Sequence, residues 1–213
     1  MAIPVAILGD LNWDLVLAVD ELPARGQEAR AERSSFRLGG SATNTARWLS
    51  RLGFAARLLV AVGEDPLGDL ALQKLVQDGI PPHFIQRHPE TTGLCLALVD
   101  RSGERTLLTW RGANALLSLP LPENWLRGAR WLHLSGYALL ERSSREALHA
   151  ALRWARDLAV PGSFDPGMVA VHGHVRFLSA LGPVDVFLPN QEEALALVGG
   201  LSPGELARLK RFG

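Results

Sequence analysis

The sequence predicts an α/β fold: an open, mostly parallel sheet flanked by helices, with a small extra β layer set on it. Three observations predict it. Strand-like runs alternate with helical patterns along most of the chain, and such units assemble as parallel sheets covered by helices. The runs themselves are apolar throughout, as strands buried on both faces are. Two more polar hairpin-like stretches, at about 15–36 and 91–111, break this rhythm and read as a small β lid. No linker or repeat divides residues 1–213, so one α/β domain with two lid insertions is expected.

The elements follow in order. Ile3 to Leu8 is a buried strand ending in Gly9-Asp10, and Leu15 to Val19 is a second short strand. Gly26 to Phe36 alternates loosely and is polar, like an exposed strand. Ser41 to Leu52 is a helix closed by Gly53, with Ala42, Ala46 and Leu49 at helical spacing. Its first turns are built from small residues, so a neighbouring strand or a ligand must approach closely. Ala56 to Val62 is the next strand. Asp65 caps a helix with Pro66 at its first position and Gly79 at its end. Thr91 to Val99 and Arg105 to Trp110 flank the turn Asp100-Arg101-Ser102-Gly103. Trp131 to Ser135 is a strand, and a capping box from Ser143 to Glu146 opens a helix running to about Asp157. Val160 to Phe164 and Val184 to Leu188 are further strands. Asn190 and Ser202 each open a helix.

Composition narrows the function classes. Formal net charge is zero over 213 residues, which gives no broad basic face for nucleic acid or anionic lipid. No run approaches a membrane span, and the apolar start reads as a buried strand rather than a leader. The single cysteine, Cys95, forms no intrachain disulfide and matches a reducing cytoplasm.

Chemistry concentrates at Gly39-Gly40-Ser41-Ala42-Thr43-Asn44-Thr45-Ala46. Paired glycines at a loop-to-helix junction let a ligand touch the backbone, and the helix start presents free amides. Asn44 offers a donor and an acceptor, which suits a sugar hydroxyl. The dinucleotide fingerprint G-x-G-x-x-G is absent. Gly63 to Gly68 has P-loop spacing but is followed by Asp69-Leu70 instead of Lys and Ser/Thr. Local physics alone leaves a ligand-binding loop and a plain tight turn open.

The run from Gly39 to Gly63 resembles the first signature of the ribokinase-like (PfkB) carbohydrate kinases. Gly9-Asp10-Leu11-Asn12-Trp13-Asp14, Gly63 to Gly68, Arg111-Gly112-Ala113-Asn114-Ala115 and Pro189 to Ala194 resemble further parts of that family, in the right order, from about residue 5 to residue 200. The resemblance implies a ribokinase-like fold and phosphoryl transfer from ATP to a sugar hydroxyl, with the sugar held under the lid at the carboxyl ends of the strands. By the same resemblance Asn12, Asp14, Gly39, Gly40 and Asn44 contact sugar hydroxyls. Asn190 and Glu193 form the family's N-x-x-E pair beside the ATP phosphates, with Glu193 ordering Mg2+ through water. Homodimers joined through the lid also occur in the family.

Each assignment has a plainer counterpart. Asp14 fits a solvated turn acid. Asn190-x-x-Glu193 is equally a capping box, a pattern that Ser202-x-x-Glu205 repeats without any catalytic meaning. Arg111 is a candidate for reaching an anionic sugar, or an exposed solvated arginine. Trp13 fits a sugar-stacking ring or lid core. Asp165-Pro166-Gly167 fits an active-site edge or a simple turn. His172 and His174 lack a third metal ligand nearby.

The resemblance also implies a glycine-rich G-A-G-D-like segment whose aspartate is the catalytic base and whose amides form an anion hole. Residues 1–213 contain no such segment. The base, with further strands of the sheet, is expected C-terminal to residue 213, and this chain by itself is expected to be inactive. The alternative is a non-catalytic sugar-binding or regulatory protein derived from a sugar kinase.

Overall fold

The structure, a computed structural model, describes residues 2–171 and 181–212. Among these residues the strands form three sheets. The main sheet contains β1 (Pro4–Leu8), β4 (Ala55–Leu59), β9 (Trp131–Ser135), β10 (Gly162–Asp165) and β11 (Val186–Phe187). All its pairings are parallel, in the order β11-β10-β9-β1-β4. The second sheet is the β lid, with β3 (Arg33–Gly39), β2 (Asn12–Ala18), β7 (Gly93–Val99) and β8 (Arg105–Trp110) in that order. Its two hairpins are antiparallel and meet through a parallel β2–β7 pairing. β5 (Ala61–Gly63) and β6 (Gln86–His88) make a short parallel pair. The predicted parallel α/β sheet with its small extra β layer is therefore present.

Two apolar clusters sandwich the main sheet. One joins alternate residues of β1 and β4 to α1 (Ser41–Arg51) and α2 (Pro66–Gln77), with Ile7, Leu58, Ala42, Ala46 and Leu75 fully buried. On the other, α4 (Arg142–Asp157) buries Ala147, Leu148, Ala151, Leu152 and Ala155, an i, i+4 stripe; α3 is the short turn Glu123–Leu126. Each fully buried leucine contributes about 2 kcal/mol of transfer free energy. The Asp65 side chain caps α2 by accepting from Gly68 N at 2.7 Å. It also holds the lid's root by accepting from Thr92 N at 2.9 Å and Thr92 Oγ1 at 2.6 Å.

Several expectations are corrected. The apolar run Ala56 to Val62 is two strands, β4 and β5, which belong to different sheets. β2 starts three residues early, at Asn12, because its first residues pair with Gly39 and Gly93 at the lid's root. The stretch from Gly26 is irregular up to Arg33, where β3 begins. The last two strands are shorter than their apolar runs. Ser143 does not cap α4: it lies inside the helix and donates to Ala115 O at 2.7 Å, while Glu146 pairs with Arg142. Tertiary bonding overrides the local capping pattern there.

Candidate functional site

β1 has β4 on one side and β9 on the other. The chain first builds outward to β4, then reverses and adds β9, β10 and β11 on the opposite side. In open α/β sheets this reversal opens a crevice beyond the carboxyl ends of the strands, where ligands bind. Gly9 makes the crevice floor tight, since a Cβ there would collide at 2.6 Å with both Ala42 and Ser135.

Asp10 is the hub, and it is 2% exposed. Its carboxylate accepts from Ser41 N (3.3 Å), Ala42 N (3.4 Å) and Ser135 Oγ (3.3 Å), and its carbonyl accepts from Thr43 Oγ1 at 2.9 Å. Gly40, at the N-cap of α1, has no side chain to cap with. Asp10, from the end of β1, takes that role, and its charge suits the helix N-terminus.

Next to it, Asn114 is 1% exposed and locks the lid to the domain. Its Oδ1 accepts from Leu11 N at 2.9 Å, and its Nδ2 lies within bonding distance of Leu11 O (2.8 Å), Asn12 Oδ1 (3.0 Å) and Arg111 O (3.0 Å). Asn12 is thereby held with its amide facing Asp10, Nδ2 to Oδ2 at 3.4 Å. The glycines are steric requirements. The Asp14 carboxylate lies across Gly39 where a Cβ would stand. At Gly40, whose φ is 97°, a Cβ would meet Asp10 O at 2.6 Å. Asp14 is half-buried, and burial raises its carboxyl pKa. Arg37 opposes the shift and Asp10 adds to it. Asn44 sits on the exposed side of the first turn of α1.

On the far side, Ser41 Oγ donates to Asp165 Oδ2 at 2.8 Å, and Gly167 N donates to Asp165 Oδ1 at 3.1 Å. Asp165 is thus both a turn acid and a bridge from β10 to α1. Asn190 caps α5 (Gln191–Val198) in a full capping box. Its Oδ1 accepts from Glu193 N at 2.9 Å, and its own N and Nδ2 donate to the Glu193 carboxylate at 2.9 and 2.8 Å. Glu193 is buried. That burial raises its pKa, hydrogen bonding from Asn190 opposes the shift, and Asp165 and Glu192 add to it. Ser41, His133, Tyr137, Asp165, Asn190 and Glu193 together line a crevice of about 440 Å³. A hollow of about 520 Å³ against Phe54, Ala56 and Phe84, at the start of β4, is mostly apolar and gathers no such polar set.

The structure therefore brings Asn12, Asp14, Gly39 and Gly40 together and sets Asn190 with Glu193 across the crevice. Two expectations change. Arg111 is not a solvated surface residue: it is largely buried, its Nη2 donates to Tyr137 O at 3.1 Å, and its Nε is sealed from water without a partner. Trp13 is lid core, stacked on Phe36 with centroids 4.8 Å apart and its Nε1 donating to Leu67 O at 2.9 Å. His172 and His174 lie outside the described residues. Among the described residues no group of three or more His, Cys, Asp or Glu side chains could hold a metal ion. Sequence reasoning gave no role to Asp10, Ser135, Asn114 or His133. The signal was there for His133, the one charged or titratable side chain in the strand Trp131–Ser135.

The family model "pfkB family carbohydrate kinase" matches residues 3–211. An ATP-dependent ribose-1-phosphate kinase of Halopiger xanaduensis is 35% identical over 195 residues, which cover 89% of this chain and 62% of that protein. The ribokinase of Giardia lamblia superposes with a TM-score of 0.81 at 26% identity, covering 98% of this chain and 64% of that one. The Arabidopsis thaliana ribokinase, solved with ribose and ATP, superposes with a TM-score of 0.79 at 20% identity, covering 98% and 67%. The chain thus spans about three fifths of the first of these proteins and about two thirds of the other two.

Proposed function

Because the chain belongs to the pfkB family of carbohydrate kinases, we propose that it supplies the sugar-binding and lid part of an enzyme that transfers a phosphoryl group from ATP to a sugar hydroxyl. One observation carries this reading. At the switch point, beneath the lid's root, Asp14 lies over the bare backbone of Gly39 beside Asn12, next to the opening turn of α1. A carboxylate that accepts two hydroxyls, an amide that both donates and accepts, and glycines that admit close approach form a sugar-binding set. Asn44 adds a further amide from the exposed side of that turn.

The far side suits the nucleotide's metal best through water. Glu193 is buried and each of its oxygens already accepts a hydrogen bond from Asn190, so direct ligation would compete with the cap of α5. A water-mediated contact to Mg2+ would leave the cap intact, and Mg2+ keeps several of its waters. Asn190 and Glu193 are accordingly proposed to face the ATP phosphates and the hydrated metal.

A base must take the hydroxyl proton, and an anion hole must receive the moving charge. No G-A-G-D-like segment stands in these 213 residues, so the 213-residue chain is proposed to bind sugar but to turn over little. The lid's exposed apolar side chains, Leu107, Leu108 and Trp110, fit pairing with a second copy, which sedimentation would detect. No described helix is long and apolar enough to cross a membrane; a cytoplasmic location is proposed from the lone cysteine. A steady-state assay with ATP, Mg2+ and a sugar panel, run beside calorimetric sugar titrations, tests the division of labour. Sugar binding without turnover is expected. Robust turnover by the 213-residue chain would overturn the placement of the base.

A further inference from the structure

Arg111 differs from the other arginines that reach into this molecule. Arg47 gives its Nε to Asp78 at 2.6 Å and its Nη1 to Leu38 O at 3.0 Å. Arg57 spreads Nη1 over the carbonyls of Asn124, Trp125 and Arg127. Arg111 makes a single hydrogen bond among the described residues, Nη2 to Tyr137 O, and takes part in no ion pair within 4.0 Å. Its Nε is buried with no partner. Asp10 and Glu141 act on it only through space. Asp10 already serves the α1 amides.

The backbone that presents Arg111 is fixed. Ala113 N donates to Thr91 O at 2.7 Å, and Arg111 O accepts from Asn114, the residue that also holds Leu11 and Asn12. At Gly112, where φ is 49°, any side chain would strike Thr91 O. A guanidinium withdrawn from water without a carboxylate partner is costly, because buried charges are normally paired. Here the cation stands at the root of the lid, with its backbone tied to the site's own residues, and no carboxylate among the described residues pairs with it within 4.0 Å. Its planar fork matches the oxygens of a phosphate or a carboxylate.

We propose that the sugar taken by this site carries an anionic substituent, a phosphate ester or a carboxylate, and that Arg111 is the specificity-determining residue that holds it. This rests on the sugar-site reading above. The probes are D-ribose, ribose 1-phosphate and 2-dehydro-3-deoxygluconate, titrated calorimetrically into wild type, Arg111→Gln and Arg111→Lys, with a thermal melt for each variant. At least one of the two acids binds wild type about tenfold or more tighter than ribose, a gain of the size expected for a charge-assisted fork. Which acid does so tells phosphate from carboxylate. In Arg111→Gln the preference collapses towards parity, and in Arg111→Lys, which keeps the charge but not the fork, it falls part of the way. If ribose binds and neither acid binds tighter, Arg111 has no such role and the sugar site stands. If the preference survives in folded Arg111→Gln, Arg111 is not its source. If no sugar of either kind binds wild type, the sugar-site reading fails and this inference with it. Should Arg111→Gln not fold, the wild-type preference and the Lys variant decide.

Discussion

The two sides of the crevice are held in different ways. On the lid side, the contacts join residues far apart in the chain: Asp10 to Ser41 and Ser135, and Asn114 to Leu11 and Asn12. Asp10, Asn12, Asn114 and Ser135 are buried, and the glycines between them leave no room for a side chain. On the far side, Asn190 and Glu193 hold each other within one turn of α5, and the long-range bond from Ser41 to Asp165 spans the gap. The lid side is therefore preorganised by the whole fold and the far side by a local cap. Damage to the first should reach binding and stability together, and damage to the second should stay small and local.

The largest effect is expected at Gly39. Gly39→Ala places a methyl where the Asp14 carboxylate lies, so Asp14 must swing away. Sugar affinity should fall about 100-fold, close to 3 kcal/mol, as read by calorimetry. An unchanged affinity would break the contrast between the two sides. Asn114→Ala comes next. It strands Leu11 N, Leu11 O and Asn12 Oδ1 in the interior, and each buried unsatisfied group costs about 1–3 kcal/mol. Urea denaturation should show a loss of about 3 kcal/mol or more.

The smallest and most discriminating test compares the two capping boxes. Asn190-x-x-Glu193 and Ser202-x-x-Glu205 make the same reciprocal bonds, yet Glu193 is buried near Asp165 while Glu205 is only partly covered. Burial raises the Glu193 pKa, whereas the Ser202 hydroxyl lowers that of Glu205. The signs follow by linkage. The folded state disfavours ionised Glu193, so Glu193→Gln should compare best with wild type at neutral pH and worse as pH falls through the carboxylate range. Ionised Glu205 is favoured by folding, so Glu205→Gln should lose stability at neutral pH and recover it in acid. Denaturation at several pH values reads the two slopes, and equal slopes would mean that the pocket does not distinguish the boxes.

The sequence made the fold legible wherever one element dictates its own state. The apolar strands, the Asp65-Pro66 helix start, the Asp100 to Gly103 turn and both C-terminal boxes follow from local chemistry. It misled where long-range bonding decides. Ser143 answers to Ala115, 28 residues away, and the run Ala56 to Val62 is shared between two sheets. The site divides along the same line. The glycine pair and Asp14 are visible as a motif. Asp10 and Asn114 show their roles only once the fold brings in partners 31 and 103 residues away. For Arg111 the sequence leaves a sugar contact and a solvated arginine open, because nothing local reveals that its Nε is sealed at the lid's root.

The most direct test is the sugar site itself, by calorimetry on wild type and Asp14→Asn across a pH series. One sugar should bind per chain. Its affinity should fall about tenfold or more in Asp14→Asn, the scale of a lost charge-assisted hydrogen bond. In wild type the affinity should drop as pH falls through an Asp14 pKa that burial has raised above 3.8, because only the ionised carboxylate accepts both hydroxyls. Sugar binding that is equally strong in Asp14→Asn and indifferent to pH would contradict a site built on Asp14 beneath the lid.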